Sequence, residues 1–221
     1  MLIYANNYVK SYNEKENFHF VAGAIISFYK CFSQSNFKIG ANIGGQISSL
    51  RGFDYDQPDN KFELVPVLGV NFEVCVTSSL SVITAFNYER WKKERGVYYY
   101  GGYSSYEGTV KESYDFFNIP LLMRYKFGNK KLYFLEGGGF LNYFNKGNPS
   151  GYMPLFIDFE DYNFGLALGL GRTFYLNDNF DITLQLRNEL GLSDVNKYET
   201  MVSGNVKTNT FKLIATFNVN L

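Results

Sequence analysis

The feature that most constrains the fold of this sequence is a set of eight stretches in which apolar and polar residues alternate. Alternation with a period of two predicts β-strands that present one apolar face and one polar face. Long and short gaps between the stretches alternate along the chain. This is typical of an up-and-down barrel with open loops at one rim and tight turns at the other. The eight strands are predicted at 37–49, 62–76, 80–91, 116–127, 131–145, 162–176, 180–192 and 210–221.

The gap lengths also orient the predicted barrel. The short gaps carry residues such as Gly, Asn and Asp that favour tight turns, and they lie at 77–79, 128–130 and 177–179. The long gaps lie at 50–61, 92–115, 146–161 and 193–209. In outer-membrane barrels the short turns face the periplasm and the long loops face outwards. The four long gaps are therefore predicted to be extracellular.

The fifth stretch is the least regular of the eight. Its alternation is interrupted by Gly137, Gly138 and Gly139. Glycine inside a strand often marks a bulge or a sharp bend, so this run predicts a bulge or sharp coiling of the fifth strand.

The alternation by itself leaves open which face of the sheet points outwards. A soluble barrel of the lipocalin kind turns its apolar face inwards around a ligand, whereas a membrane barrel turns it outwards to lipid. The polar face here is rich in Gly, Ser, Thr and Asn, and small residues suit a narrow lumen. Its charges also balance, as buried charges must, which favours the membrane barrel and predicts a charge network in the lumen. The predicted network comprises Lys38, Glu63, Glu73, Glu89, Arg124, Lys126, Glu136, Arg187, Glu189 and Lys212.

A further indication comes from five segments, which are FKIGANIGG (37–45), NIPLLMRYKF (118–127), LEGGGFLNYF (135–144), FGLALGLG (164–171) and LQLRNELGLSDV (184–195). In these patterns the chain resembles, over residues 37–221, the small outer-membrane beta-barrel domain family often called PorT-like, which is typical of Bacteroidetes-type envelopes. The resemblance implies an all-β, eight-stranded antiparallel barrel that crosses the cell outer membrane. It implies no shared catalytic residues.

The first 34 residues precede the regular alternation. Lys10 and Lys15 come before an apolar run at 20–29, which is the order of a secretory signal. We therefore predict an atypical signal or leader segment at 1–34 and a barrel domain at 35–221. The alternatives for the first segment are an extra strand and a periplasmic tail.

Several classes of function are disfavoured by the composition. The formal net charge is zero, so nothing indicates a nucleic-acid partner. The only histidine is His19, in the predicted leader, so a nucleophile in the barrel lacks the usual proton carrier. The two cysteines, Cys31 and Cys75, do not have the spacing of a metal site. We therefore predict no enzyme activity, no cofactor and no metal.

The long gap at 92–115 contains the best candidate for a binding surface. Tyrosines interleaved with Gly and Ser are the composition of adaptable binding surfaces. The tyrosines are Tyr98, Tyr99, Tyr100, Tyr103 and Tyr106. The alternative is that the barrel wall extends past the membrane here, so that the tyrosines belong to an aromatic girdle and an extended hairpin. The nearby Lys92, Lys93 and Arg95 are placed where lipid phosphates would lie, which makes lipopolysaccharide a candidate partner.

Three functions remain open at this point. The first is a structural or interaction role, in which a closed, side-chain-filled barrel anchored in the lipid bilayer contacts an envelope protein through its extracellular loops. The second is a channel for small solutes, which eight strands disfavour because their side chains just fill the lumen. The third is a soluble, lipocalin-like barrel that binds a ligand.

Overall fold

The computed structural model describes residues 37–52, 61–101, 104–149, 159–197 and 205–221. All of them belong to one compact unit, Phe37–Leu221. The predicted leader at 1–34 lies outside the described residues, so the division of the chain at this point stays a prediction. Within the described ranges, no helix is long and apolar enough to cross a membrane.

The strands of the described ranges form one antiparallel sheet that closes on itself. They are β1 (Phe37–Arg51), β2 (Lys61–Phe62), β3 (Val65–Cys75), β4 (Leu80–Gly101), β5 (Ser104–Phe127), β6 (Tyr133–Pro149), β7 (Tyr162–Tyr175), β8 (Phe180–Gly191) and β9 (Lys207–Asn220). The short β2 and the longer β3 both pair with β4, so together they fill one position in the barrel wall. Pairing of β1 with both β3 and β9, together with pairing of β4 with β5, closes the sheet. The predicted eight-stranded up-and-down barrel is confirmed.

The apolar face of the barrel points outwards. Leu184, Leu186 and Phe217 are 44%, 56% and 45% exposed. Arg187 and Glu189, on the opposite face of β8 from Leu184 and Leu186, are 4% and 1% exposed. A soluble barrel would show the reverse arrangement, so the lipocalin-like alternative is wrong.

The predicted tight turns connect β3 to β4, β5 to β6, and β7 to β8. Polar side chains stabilise two of them by accepting backbone hydrogen bonds. Thr77 Oγ1 accepts from the amide of Leu80 at 3.0 Å, and Asn177 Oδ1 accepts from the amide of Phe180 at 2.9 Å. The third turn contains a short 3-10 helix, Asn129–Lys131. All three turns lie at one rim, because neighbouring strands are antiparallel and every second connection therefore falls at the same end of the barrel.

The predicted loop at 92–115 is wrong, because most of it is strand. β4 continues to Gly101 and β5 begins at Ser104, and the two stay paired from Arg90 opposite Asp115 up to Gly101 opposite Ser104. The upper part loses the apolar and polar alternation that identifies a membrane strand. Its Val, Tyr and Thr residues nevertheless favour extended backbone, so the ladder continues beyond the lipid. The backbone therefore matches the alternative interpretation, an extended hairpin.

The bulge predicted at Gly137–139 is also wrong. These glycines pair in regular register with Met123, Leu122 and Leu121 on β5. The register shift of this strand pair instead lies between Asp115 and Phe116, opposite the step from Lys146 to Phe144. The glycine at 138 serves close packing, since a Cβ atom there would lie 2.1 Å from the Leu121 carbonyl oxygen.

Candidate functional site

The lumen contains a network of buried ion pairs centred on Glu136 of β6. Arg187 of β8 donates from Nε to Glu136 Oε1 at 2.9 Å, and Arg124 of β5 donates from Nη2 to Glu136 Oε2 at 2.9 Å. Arg124 also donates from Nη1 to Glu73 of β3 at 3.1 Å. Glu136, Arg187 and Arg124 are each at most 4% exposed, and Glu73 is 1% exposed. Buried charges need such partners, because an unpaired one would carry a large desolvation penalty.

The same network extends towards both rims. Lys126 Nζ lies 2.5 Å from Glu73 Oε1 on one side. On the other side Lys212 Nζ lies 2.7 Å from Glu189 Oε2 and also bonds to Glu89. Arg187 Nη1 and Glu189 Oε1 approach to 3.8 Å and join the two parts.

The structure brings together eight of the sequence-derived candidates for the lumen. They are Glu73, Glu89, Arg124, Lys126, Glu136, Arg187, Glu189 and Lys212. The other two lie apart. Lys38 pairs with Asp181 at 2.6 Å, a partner that sequence reasoning left out although Asp181 lies on the polar face of β8. Glu63 lies between β2 and β3, in a pocket of about 220 Å³ with Lys92 and Lys111.

A row of asparagine side chains follows the inner wall beside the ion pairs. Asn42 donates to Asn87 at 2.9 Å, Asn87 to Asn118 at 3.2 Å, and Asn118 to Asn142 at 2.7 Å. Asn118 also donates to Glu189 at 2.9 Å, which joins the row to the ion pairs. Such a hydrogen-bonded row of amides satisfies polar groups that water does not reach.

Inward-facing glycines allow these contacts between strands that are not neighbours. Gly169 of β7 is in register with Glu136 on one side and Arg187 on the other, so the two charged side chains meet above it. Gly69 of β3 stands in the same way between Asn42 and Asn87. A Cβ atom at 169 would lie 2.8 Å from Glu136 Oε1. Gly69 and Gly169 thus leave the space that these two contacts need.

A buried aromatic layer lies at the outer end of the barrel, and we call it the outer plug. Its buried members are Trp91, Tyr114, Phe116, Phe159, Val195 and Val206. The rings of Trp91 and Phe116 have centroids 4.6 Å apart, and Phe159 packs edge-on against Phe116 at 5.3 Å. Phe159 and Val195 come from outside the strands, and the backbone bond from Val195 to Val206, 2.8 Å, anchors this part of the plug.

Gln46 connects the outer plug to the charge network. With its side-chain amide oriented to satisfy both neighbours, Gln46 donates to Glu89 at 2.9 Å and accepts from Trp91 Nε1 at 3.2 Å. Sequence reasoning missed the outer plug, since Phe159 and Val195 carry no strand periodicity. The only available signal was the inward parity of Trp91 and Phe116 on predicted strands.

An ion pair at the outer rim lies above the membrane-crossing part of the wall. Tyr143 and Tyr162, with ring centroids 5.4 Å apart, mark the outer interface, where aromatic residues of membrane barrels concentrate. Beyond this level Arg90 donates to both carboxylate oxygens of Asp115, at 2.6 and 3.1 Å. These hydrogen bonds hold the pKa of Asp115 below its ordinary value. Lys146 Nζ lies 3.9 Å from the same carboxylate.

The candidate tyrosines lie at the far end of the extended hairpin. Tyr98, Tyr99 and Tyr100 belong to β4 and Tyr106 to β5, with Tyr99 directly opposite Tyr106. Tyr103 lies outside the described residues. In the part of the chain that the structure covers, no cluster of His, Cys, Asp or Glu has the makings of a metal site.

Comparisons with known proteins agree with this geometry. The Neisserial surface protein A structure is 14% identical, with 84% of this chain and 97% of that chain aligned and a TM-score of 0.52. The outer membrane protein OprG from Pseudomonas aeruginosa is 14% identical, with 84% and 95% aligned and a TM-score of 0.54. At such identities the solved structures show a shared fold. A search among curated proteins finds no match.

The sequence profile of a family described as outer membrane protein beta-barrel domain matches residues 32–197. This match agrees with the closed antiparallel barrel and its outward apolar face. The predicted location in the cell outer membrane is therefore confirmed, and the chain belongs to the outer membrane protein beta-barrel domain family.

Proposed function

We propose that this protein is a non-conducting outer-membrane barrel that acts through its surface hairpin and carries out no catalysis. The observation that supports a closed lumen is the stacking of two filled layers, the outer plug above and the charge network below. Trp91 is 6% exposed and Arg187 is 4% exposed, so little water reaches either layer. Gln46 bonds to both layers and holds them together.

Opening a path for ions through the lumen would be energetically costly. An ion entering from outside has to displace the packed rings of Trp91, Phe116 and Phe159. It then has to separate pairs such as Lys212 and Glu189, which are buried and 2.7 Å apart. Removing one partner of a buried pair costs about 3–5 kcal/mol. The alternative function, a small-solute channel, would require a rearrangement of both layers.

Single-channel recording tests this proposal. The full chain is reconstituted in a planar bilayer, and its insertion is verified by the mobility shift that folded barrels show on unheated gels. A porin added to the same bilayer serves as the positive control. We expect no discrete open steps from this protein, and steady open steps would overturn the closed-barrel proposal in favour of the channel.

The proposed interaction surface is the hairpin formed by the outer parts of β4 and β5. Its tyrosine, glycine and serine content is that of adaptable binding surfaces, and its backbone is paired as far as Gly101 opposite Ser104. The partner we propose is a protein of the cell envelope. Lys92, exposed at the base of the hairpin, is proposed to contact lipopolysaccharide phosphate.

Cross-linking in intact cells tests the hairpin. One variant replaces residues 96–109 with an Asn-Gly turn, and a second changes Tyr98, Tyr99, Tyr100, Tyr103 and Tyr106 to Ser at unchanged hairpin length. We expect both variants to fold and to lose the cross-linked partner that the natural sequence retains. Unchanged cross-linking in both variants would contradict the proposed surface.

Within the family, we propose that the chain belongs to the PorT-like group. The support is the resemblance of the segments at 37–45, 118–127 and 184–195. Inspection of neighbouring genes tests this assignment, because an envelope-assembly partner encoded beside this chain is expected. Neighbours without any relation to the envelope would count against it.

A further inference from the structure

Two asparagines lie on the outward face of β8 and β9, within the part of the wall that crosses the membrane. Asn188 lies between Leu186 and Leu190, which are 56% and 36% exposed. Leu192, just beyond the end of β8, is 43% exposed, so the apolar surface continues on both sides of Asn188. Asn209 of β9 is in register with Leu190 and is half-buried. Unlike the luminal row of asparagines, these two amides therefore lie against hydrocarbon.

The two asparagines are bonded to each other. Asn188 Nδ2 donates to Asn209 Oδ1 at 2.8 Å and to the Thr210 carbonyl oxygen at 3.2 Å. These two hydrogen bonds use both hydrogens of the Asn188 amide, and they hold the two amides at nearly the same depth in the bilayer. Polar side chains inside a bilayer are costly, and they concentrate where one protein segment contacts another. The pair therefore indicates a protein contact on this face.

The bonded pair keeps one acceptor and one donor group unused. Among the residues that the structure describes, none donates to Asn188 Oδ1 and none accepts from Asn209 Nδ2. Acyl chains supply neither a donor nor an acceptor, and an unbonded amide in hydrocarbon carries a desolvation penalty. A partner that satisfies the pair has to donate to Asn188 and accept from Asn209. A second copy of the same pair does both, because its own unused groups are the same acceptor and the same donor.

We propose that the outward face of β8 and β9 is the interface of a homodimer in which the two amide pairs bond reciprocally. Asn209 Nδ2 of each copy donates to Asn188 Oδ1 of the partner subunit. Two copies in one bilayer have the same orientation, so their two-fold axis runs along the bilayer normal and brings groups of equal depth together. Such an interface is complete with two copies. The proposal requires the membrane orientation of the barrel, and it is independent of the closed lumen and of the tyrosine hairpin.

Sedimentation equilibrium of the full chain in density-matched detergent tests the dimer. We expect a monomer–dimer equilibrium that shifts towards monomer as the ratio of detergent to protein rises. The double variant Asn188→Leu/Asn209→Leu keeps the wall apolar, and its folding is verified by the mobility shift on unheated gels. It loses two hydrogen bonds across the interface, so we expect its dimer to be about tenfold weaker. A monomer at every detergent ratio, a larger ring, or an unchanged dimer in the variant would overturn the proposal.

Two control variants locate the interface. Thr84→Val removes a polar group from the outward face of β4, where Thr84 is in register with the exposed Phe72 and Leu121. β4 is four strands away from β8 in both directions around the barrel, so this variant should leave the dimer unchanged. The variant in which an Asn-Gly turn replaces residues 96–109 should also dimerise normally. Loss of the dimer in the hairpin variant would assign the association to the hairpin and refute the β8 and β9 interface.

Mixing the two single variants tests whether the bonding is reciprocal. A homodimer of Asn188→Leu lacks both acceptors and a homodimer of Asn209→Leu lacks both donors, whereas the mixed dimer keeps one of the two hydrogen bonds. We therefore expect the mixed dimer to be about threefold tighter than either homodimer. One variant is labelled with a heavy nitrogen isotope, and native mass spectrometry measures the three dimers. A mixed dimer at no more than its statistical share would refute the reciprocal bonds, and this result does not depend on conductance or on cross-linking of the hairpin.

Discussion

Glu136 and Arg187 lie 51 residues apart in the chain, yet Arg187 Nε donates to Glu136 Oε1 at 2.9 Å across an intervening strand. The residue between them in register is Gly169, whose missing side chain provides the space. The same arrangement places Asn42 against Asn87 above Gly69. Glycine in the middle strand of three therefore determines which luminal side chains meet.

Gly169→Ala tests this arrangement. The added Cβ atom would lie 2.8 Å from Glu136 Oε1, so either the carboxylate or the strand has to move. We expect a loss of about 1–3 kcal/mol in the free energy of unfolding, the usual cost of overpacking. Urea unfolding in lipid vesicles measures it. Gly139→Ala is the control, because its Cβ atom would lie 3.4 Å from the nearest atom, and an equal loss in the control would contradict the explanation.

Glu136→Gln is expected to destabilise the barrel strongly. The substitution leaves Arg124 and Arg187 buried with one negative charge fewer between them. Breaking a buried pair on one side costs about 3–5 kcal/mol, and we expect a loss of that order in urea unfolding. The exposed Glu160 provides the control as Glu160→Gln, which should leave stability unchanged. If Glu136→Gln lowered the free energy of unfolding no more than Glu160→Gln does, the ion-pair network would contribute little to stability.

Phe159→Ala tests the outer plug through the fluorescence of Trp91, which is the only tryptophan in the chain. Phe159 is 2% exposed and packs against Trp91, with ring centroids 5.9 Å apart. Truncating a buried Phe costs about 3–5 kcal/mol and leaves a cavity. We expect acrylamide to quench Trp91 more strongly in the variant than in the natural sequence. Phe164→Ala, on the lipid-facing side, should leave quenching unchanged, and equal quenching in both variants would contradict the plug.

Leu168→Arg tests the depth of the outward apolar face. Leu168 is 70% exposed on the lipid-facing side of β7, far from both ends of the strand. An arginine near the bilayer midplane costs about 2–4 kcal/mol, whereas one near the interface costs about 0–1 kcal/mol. Tyr162→Arg, at the interface end of the same strand, is the matched variant. We expect Leu168→Arg to lower the free energy of unfolding in vesicles by more than Tyr162→Arg does. A larger loss for Tyr162→Arg would place the membrane at a different level.

Much of the fold follows from the sequence because strand alternation is local. Leu184 and Leu186 point outwards and Arg187 and Glu189 point inwards, as the period of two requires. The tight turn at Asn177 follows from its side chain, because Oδ1 accepts hydrogen bonds from the backbone amides of Asn179 and Phe180. The upper hairpin could not be identified in this way, since beyond Arg90 no lipid imposes alternation although pairing continues to Gly101.

The contents of the lumen were only partly accessible from the sequence. Parity places Asp181 inside β8, but its bond to Lys38 at 2.6 Å depends on the closure of the barrel. Phe159 lies outside the strands and carries no periodic signal, so its insertion beside Trp91 was not foreseeable. The hydrogen bond from Asn188 to Asn209, 2.8 Å, likewise requires the register of β8 against β9.

The sequence by itself determined the number of strands, the short turns and the choice of outward residues, because each depends on neighbours along the chain and on the pleat of an extended backbone. Only the tertiary structure decided that Glu136 binds Arg187 above Gly169, and that Phe159 packs against Trp91. The physical reason is that the stagger of strands in a closed barrel brings together residues from distant strands, and local alternation carries no information about that stagger.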